Sequence, residues 1–571
     1  MHSKFKLSVL VFISALTYMG CTESNDRGTA PVDTATGSDV VNGTDPGDTS
    51  INGSDSNVIN GSDSDTDTDK PLTCAMAKEN KTYMGCDFWP TITYNMVWYN
   101  PAASTGFEFA VVVANDNVSD AVINIDGGAL SASIEETIPP GELKAITLPW
   151  VQELKGPTFN TANTGGNRVT SSVFKQGGAY HMTSSVPVTA WQFSPLEYEV
   201  SPVPAGCIDN LTDSKHCYSV TNDASLLMPS TAMTGAYRVF SYGGSYPDSF
   251  GDAPGAIAIT ATEDNTLVKV QLSDAIAAGT GVAAADAGAV VEYTLNAGDV
   301  VQLLGKPGQW MGEPHGDLTG SLVLALDAND EGTSDSPNYK PVQVIGLSPI
   351  ADLTPATVVS YADHMEEAIM PAEALGSKYI VAPPTGKGGS PVEHRVRIIG
   401  NVDGTTLTYE GTAPPGAPSS LDSGKWAEVI TTSPFIVSSQ DEDHPFIVVS
   451  FIQGDEPGVT MEVTPQQFRD SYTFLAPVSY ETNYCDILIP DGATVTLDGA
   501  PVGGSNTAIG GGWSIQRVQL TGGPGGDGKH KLTADQPVGL QVMGYGWATS
   551  YYYPGGLNLE IISKPPVISI D

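Results

Sequence analysis

The sequence predicts an all-β protein: tandem β-sandwich-like modules, about four internal repeats, following a disordered acidic linker. Three observations predict it. Gly (62 residues) and Pro (41) are frequent in a chain of 571, which favours many short strands joined by turns over long helices. Runs such as Phe107 to Val113, Val268 to Leu272 and Phe446 to Ile452 are rich in β-branched and aromatic residues and are bounded by Gly, Pro, Asn or Asp. Third, one pattern returns four times in the same order.

Each repeat has an Asp-rich turn feeding a strand, at Asp120 to Asp126, Asp264 to Val270, Asp403 to Tyr409 and Asp491 to Leu497. A Gly followed by a strand comes next, at Gly141, Gly298, Gly424 and Gly512. A Pro then heads an alternating strand, at Pro187, Pro341, Pro445 and Pro537, a place where its missing N–H interrupts no ladder bond of the strand interior. A strand near Phe107, Tyr237, Tyr379 or Tyr472 opens each unit, so the units fall at roughly 105–195, 235–350, 377–455 and 471–547. About six strands in a unit of this size suit a small sandwich better than a four-stranded propeller blade. Tandem sandwiches sharing interfaces are expected; a closed ring of the four units is the alternative. Ala362 to Leu375 reads as a short helix that Pro371 breaks or kinks.

Before the repeats comes an address. Lys4 and Lys6 precede the apolar run Leu7 to Leu16, too short to span a bilayer, so residues 1–20 read as a secretory signal. Gly20-Cys21 resembles a bacterial lipobox with Cys21 as the lipidated residue, although Tyr18 stands where Leu is usual. No later segment reaches 18 unbroken apolar residues. Residues 21–73 form the acidic Asp/Ser/Thr/Gly tether. From Thr22 to Thr73 there are no aromatics and 11 acids against Arg27 and Lys70, a composition that cannot offset backbone entropy by burial. As a flexible coil it spans roughly 40 Å. Asp63, Asp65, Asp67 and Asp69 alternate as in calcium loops, but the turn Gly and closing Glu are missing.

Cysteine use fits an oxidising exterior. Proximity in sequence suggests Cys74 with Cys86 and Cys207 with Cys217, leaving Cys485 single. With 25 Lys and Arg against 65 Asp and Glu, the net charge is −40. That excludes nucleic acid as a partner, because no basic face can neutralise phosphates. It also excludes electrostatic docking on anionic lipid and leaves the lipid anchor as the membrane contact.

Several blocks carry a resemblance: Tyr83 to Trp89 (YMGCDFW), Tyr180 to Pro195, Asn222 to Pro229, Asp363-His364-Met365-Glu366-Glu367, Tyr472 to Asn483 and Tyr545 to Leu557. In this order, from about Cys74 to the C-terminus, the sequence resembles the IgGFc-binding protein N-terminal domain family. That family takes its name from an animal mucus protein that binds the Fc part of IgG, and many bacterial members are surface lipoproteins. The resemblance implies a bacterial cell envelope protein, lipid-anchored at the outer membrane and surface-exposed. Family members carry Cys residues flanking the Asp-His-x-Glu-Glu block, where this chain has Gly346-Leu347-Ser348 and Ser360-Tyr361-Ala362.

No His-Glu-x-x-His, Gly-x-Ser-x-Gly or Cys-x-x-Cys occurs, so the sequence offers no zincin, nucleophile-elbow or zinc-ribbon chemistry. Gly523 to Gly528 matches Gly-x-Gly-x-x-Gly only as a turn, with no helix after it. The densest metal-competent cluster is Asp363, His364, Glu366 and Glu367. On a helical turn Asp363 and Glu367 would share a face and could hold a divalent ion such as Ca²⁺; a solvated helix start is the plainer reading. No other cofactor is implied. Tyr545, Trp547, Tyr551, Tyr552 and Tyr553 are candidate ligand aromatics, competing with a role in a sandwich core. The expected function is non-catalytic binding and adhesion to an extracellular glycoprotein or polysaccharide. A self-associating envelope protein and a secreted hydrolase are the alternatives.

Overall fold

The Pro, Gly and Asp punctuation marks strand ends. The computed structural model describes residues 73–96, 107–157, 169–200, 202, 217–245, 252–308, 316–329, 338–353, 362–454 and 456–566, all within one compact unit, Asp67–Asp571. The expected signal segment (residues 1–20), Cys21, residues 22–72 and Cys207 lie outside the described residues.

The third unit shows the plan. Its eight strands are Lys378–Val381, His394–Gly400, Thr405–Glu410, Ser420–Leu421, Trp426–Thr431, Phe435–Ser439, Phe446–Ile452 and Val459–Met461. The first, sixth, third and fourth form one antiparallel sheet; the fifth, second, seventh and eighth form the other. Tyr379, Val396, Ile398, Leu407, Phe435, Val437, Phe446 and Val448 bring both sheets into one apolar core, as period-two strands facing each other must.

The same pairing order recurs in the other three units. In the first and fourth units the sixth and seventh strands are continuous, Tyr180–Phe193 and Lys529–Tyr545, and serve both sheets. The four repeated glycines sit before the fifth strands with φ between 72° and 82°, a region closed to most side chains.

Eight strands per unit exceed the expected six, because the fourth and eighth are often only two or three residues long and show no periodicity. The first unit opens earlier than expected. Its first strand is Gly85–Phe88, whereas Phe107 leads into the second strand, Phe109–Ala114.

Each later unit carries a tyrosine on its first strand that ties this strand to the seventh. Tyr237, Tyr379 and Tyr472 donate to the carbonyls of Val342, Phe446 and Val538, the residue after the repeated Pro. Each hydroxyl also accepts from the N–H three residues back, Thr234, Gly376 or Arg469. Phe88 holds the matching register place in the first unit, so there the ring packs without the tie. Tyr379→Phe should therefore fold, but with two buried backbone groups unsatisfied and stability lower by about 1–3 kcal/mol. Chemical denaturation of the two proteins measures this; an unchanged midpoint would contradict it.

The eighth strands, Ala224–Leu226, Asp363–Ala368, Val459–Met461 and Ser550–Pro554, pack against one another in unit order, and the fourth meets the first. The Asn222 N–H donates to Thr549 Oγ1 at 3.0 Å across that closing seam, and the Tyr83 N–H donates to the Leu557 carbonyl at 3.2 Å. The tandem sandwiches thus close into a ring, the arrangement held as the alternative.

An extended segment, Trp89–Met96, is buried between the first two units. Side-chain amides replace a sheet ladder for it. Gln192 both donates to and accepts from Thr91, Gln302 accepts from the Tyr94 N–H, and Gln343 donates to the Trp89 carbonyl. Buried backbone must be paired, and glutamines supply the partners here.

The Cys74–Cys86 disulfide is formed. Cys217 is disulfide-bonded to a partner outside the described residues, and Cys485 is free and buried. Among the described residues no helix is long and apolar enough to cross a membrane.

Candidate functional site

The expected helix over 362–375 is corrected by the structure. Asp363–Ala368 is a β-strand, followed by a 3₁₀ turn at Ala372–Ala374. Acidic residues and Met make this stretch a fair helix former locally. Pairing with Val342–Ala351, at Ile345↔Ala368, Gly346↔Glu367 and Leu347↔Glu366, overrides that preference. The solvated-start reading fails with it, since all six residues of the strand are buried.

In a strand, neighbouring side chains point to opposite faces, and the cluster divides accordingly. His364 and Glu366 face the buried Trp89–Met96 segment. Glu366 accepts from Thr93 Oγ1 and, at 2.8 Å, from Gln192 Nε2, and lies 3.2 Å from His364 Nε2. On the other face, Asp363 accepts from Thr549 Oγ1 (2.9 Å) and the Ser550 N–H (2.8 Å), and Glu367 accepts from Ser225 Oγ (2.8 Å). Asp223 of the first unit accepts from the Glu366 N–H at 2.7 Å.

Burial pushes the carboxyls of Asp223, Asp363 and Glu367 well above the usual carboxylate range; hydrogen bonds to each only partly oppose it. These groups join the first, second and fourth units as buried, hydrogen-bonded acids. Among the described residues no three His, Cys, Asp or Glu side chains are grouped so as to hold a metal ion.

The candidate aromatics are also internal. Tyr551 and Tyr553 stack at 5.9 Å on one face of their strand, while Tyr552 points to the other and donates to Gln541 Oε1 at 2.8 Å. Tyr551 donates to Asn483, Tyr553 to the Leu475 carbonyl, and Tyr545 to the Thr385 carbonyl. None of the four tyrosines is more than 3% exposed, so they serve as core. Trp547 is half-buried against Tyr218, ring centroids 5.2 Å apart.

What sequence reasoning missed lies between the second and third units. A cleft of about 670 Å³ is lined by Arg238, Gln271, Ser273, Asp274, Lys425 and Trp426 among others. Trp426 follows Gly424 by two residues, where the other units have Leu143, Val300 and Ser514. It is 38% exposed, with the Arg397 guanidinium 4.3 Å from its ring centre. The signal available in the sequence was this one bulky aromatic at a repeat position that the other units fill with smaller residues.

Residues 223–544 match the family model described as IgGFc binding protein. No curated protein matches the sequence. The match spans the end of the first unit, the second and third units, and the fourth up to its last strand, more than half of the chain, and the chain belongs to the IgGFc binding protein family.

Proposed function

We propose that this protein is a non-catalytic adhesion protein that binds an extracellular glycoprotein or polysaccharide from the bacterial cell surface. The match of residues 223–544 to a family of binding proteins is the observation that carries the reading. The burial of the most conspicuous acid cluster supports it. Asp363, His364, Glu366 and Glu367 are buried and hydrogen-bonded between units, away from any substrate. Lipidation at Cys21 and the acidic residues after it supply an anchor and a spacer that would hold the ring away from the outer membrane.

The test is a screen of the full-length protein on immobilised polysaccharides, mucin and IgG Fc, with and without a chelator. Saturable binding to one class, with no turnover of the ligand, is expected. Silence on all three, with self-association in sedimentation, would replace adhesion by a structural envelope role. Loss of radiolabelled lipid in Cys21→Ser checks the anchor.

A further inference from the structure

The cleft between the second and third units is a built surface site. Its floor is the meeting of two glycine turns. Gly320 has φ +94°, and a Cβ there would lie 2.1 Å from the Gly424 carbonyl; Gly424 has φ +72°, and its Cβ would lie 2.8 Å from the Gly320 carbonyl. Backbone contact this close admits only glycine on both sides. Arg238, 3% exposed, pins the floor by donating to the Gly320 carbonyl (2.8 Å), the Asn401 carbonyl (3.1 Å) and Ser423 Oγ (2.6 Å).

Trp426 stands at the rim on a fixed mount. The Arg397 guanidinium that stacks on it also stacks on Tyr242 at 4.4 Å and is bonded to Asp317 and Glu428 at 2.8 and 2.9 Å. The indole is therefore held in place before any ligand arrives, which lowers the entropy lost on binding. Trp is among the residue types enriched where a few side chains carry most of the binding energy.

Two of the polar groups around it are uncommitted, whereas the Asp274 carboxylate, also in the lining, accepts from the Ala275 and Asp317 N–H groups. Lys425 and Gln271 have no side-chain partner among the described residues, whereas Lys269 and Lys340 of the second unit are held by Glu292 and Asp327 at 3.2 and 3.3 Å. Exposed Ser273 adds a hydroxyl that shares one hydrogen bond with Ser321 Oγ at 3.0 Å and keeps capacity for another. In a chain of net charge −40, a free lysine beside an exposed indole is a local cation in a field that repels polyanions at distance.

We infer that this cleft binds a single carboxylate-bearing pyranose of a glycan. Its apolar C–H face would lie on Trp426, its carboxylate on Lys425, and its hydroxyls on Gln271 and Ser273. The chemistry of the lining selects this class. A flat apolar surface matches the sugar's C–H face by dispersion, amide and hydroxyl groups match its hydroxyls, and one ammonium matches one carboxylate. The inference rests on the adhesion reading above and deepens it.

The test titrates the full-length protein with sialyllactose and with lactose, following tryptophan fluorescence. Sialyllactose should bind at least tenfold tighter than lactose. Trp426→Ala should lose both sugars, and Lys425→Gln should lose the tenfold preference while keeping the weaker neutral binding. Because Trp426→Ala removes a stacking partner of Arg397, Ala287→Trp serves as a second variant. Exposed Ala287 lines the same cleft, so the new ring should block sialyllactose with an unchanged melting temperature. Equal affinity for both sugars, or sialyllactose binding unaffected by Ala287→Trp and Lys425→Gln, would overturn the assignment. Retention of polysaccharide or mucin binding by those same variants would leave adhesion standing and place its ligand elsewhere; absence of binding in the wild type would remove both.

Discussion

Arg397→Met should lower the unfolding free energy by about 3–5 kcal/mol, the expected size for removing one partner of a buried ion pair. Arg397 lies on the second strand of the third unit, with its side chain 4% exposed. It donates to the Ser241 carbonyl and Thr319 Oγ1 of the second unit, as well as to Asp317. Its guanidinium meets the rings of Tyr242, Trp426 and Phe451. Without the cation, Asp317 keeps its bonds from Thr319 and Ser241 but faces no countercharge, while Glu428 retains Arg395. The greater part of the loss is thus the stranded Asp317 charge and not the packing, which Met largely replaces. Arg397→Met combined with Asp317→Asn should recover most of the stability. Lys in place of Arg should not, because a point charge cannot serve a fork of donors and a stacking plane together. Urea midpoints of the four proteins decide it. A double variant no better than Arg397→Met would show that packing, not the stranded charge, dominates.

Arg397 also illustrates what could be read from the chain. The turn chemistry was legible because it is local. Pro187, Pro341, Pro445 and Pro537 head seventh strands or the matching half of a continuous one, and the four glycines need positive φ whatever surrounds them. The strand character of Asp363–Ala368 was not legible, because a buried partner strand and the Ser225 and Gln192 side chains decide it from far away in sequence. Ring closure was hidden for the same reason, as its seam joins Asn222 to Thr549. The aromatic segment was half legible. Strand alternation requires Tyr552 to oppose Tyr551 and Tyr553, but both faces turn out to be interior because the third unit covers the Tyr552 face. Trp426 went unremarked because its Arg397 mount exists only after the second and fifth strands of the third unit pair and Asp317 and Tyr242 of the second unit fix the guanidinium.

Glu462→Gln should make the protein more stable than wild type by about 3 kcal/mol at pH 8, and by less than about 1 kcal/mol at pH 5. Glu462 is 2% exposed and sits where the third unit meets the fourth. Its two oxygens accept from Ser450 Oγ of the third unit (2.5 Å) and Gln541 Nε2 of the fourth (2.7 Å). Burial pushes its pKa up to about 7, with the nearby Asp486 carboxylate adding to the rise and the two hydrogen bonds opposing it. In the unfolded chain the same group titrates near its ordinary value of 4.5. Between these two values the folded state holds the proton and the unfolded state does not, so stability falls as pH rises. Each pH unit in that window removes about 1.4 kcal/mol. The contribution is complete below about pH 4.5 and lost by the time pH has passed about 7. Gln keeps the shape, accepts from Gln541 and donates to Ser450, and it never ionises. Asp223, Asp363 and Glu367 shift in the same direction, so both proteins should lose stability with rising pH, the wild type more steeply. Denaturation midpoints at half-unit steps from pH 5 to 8 give the difference between the two curves. Parallel curves would mean that Glu462 stays ionised in the folded ring, and that the seam between the third and fourth units carries a buried charge instead of a buried acid.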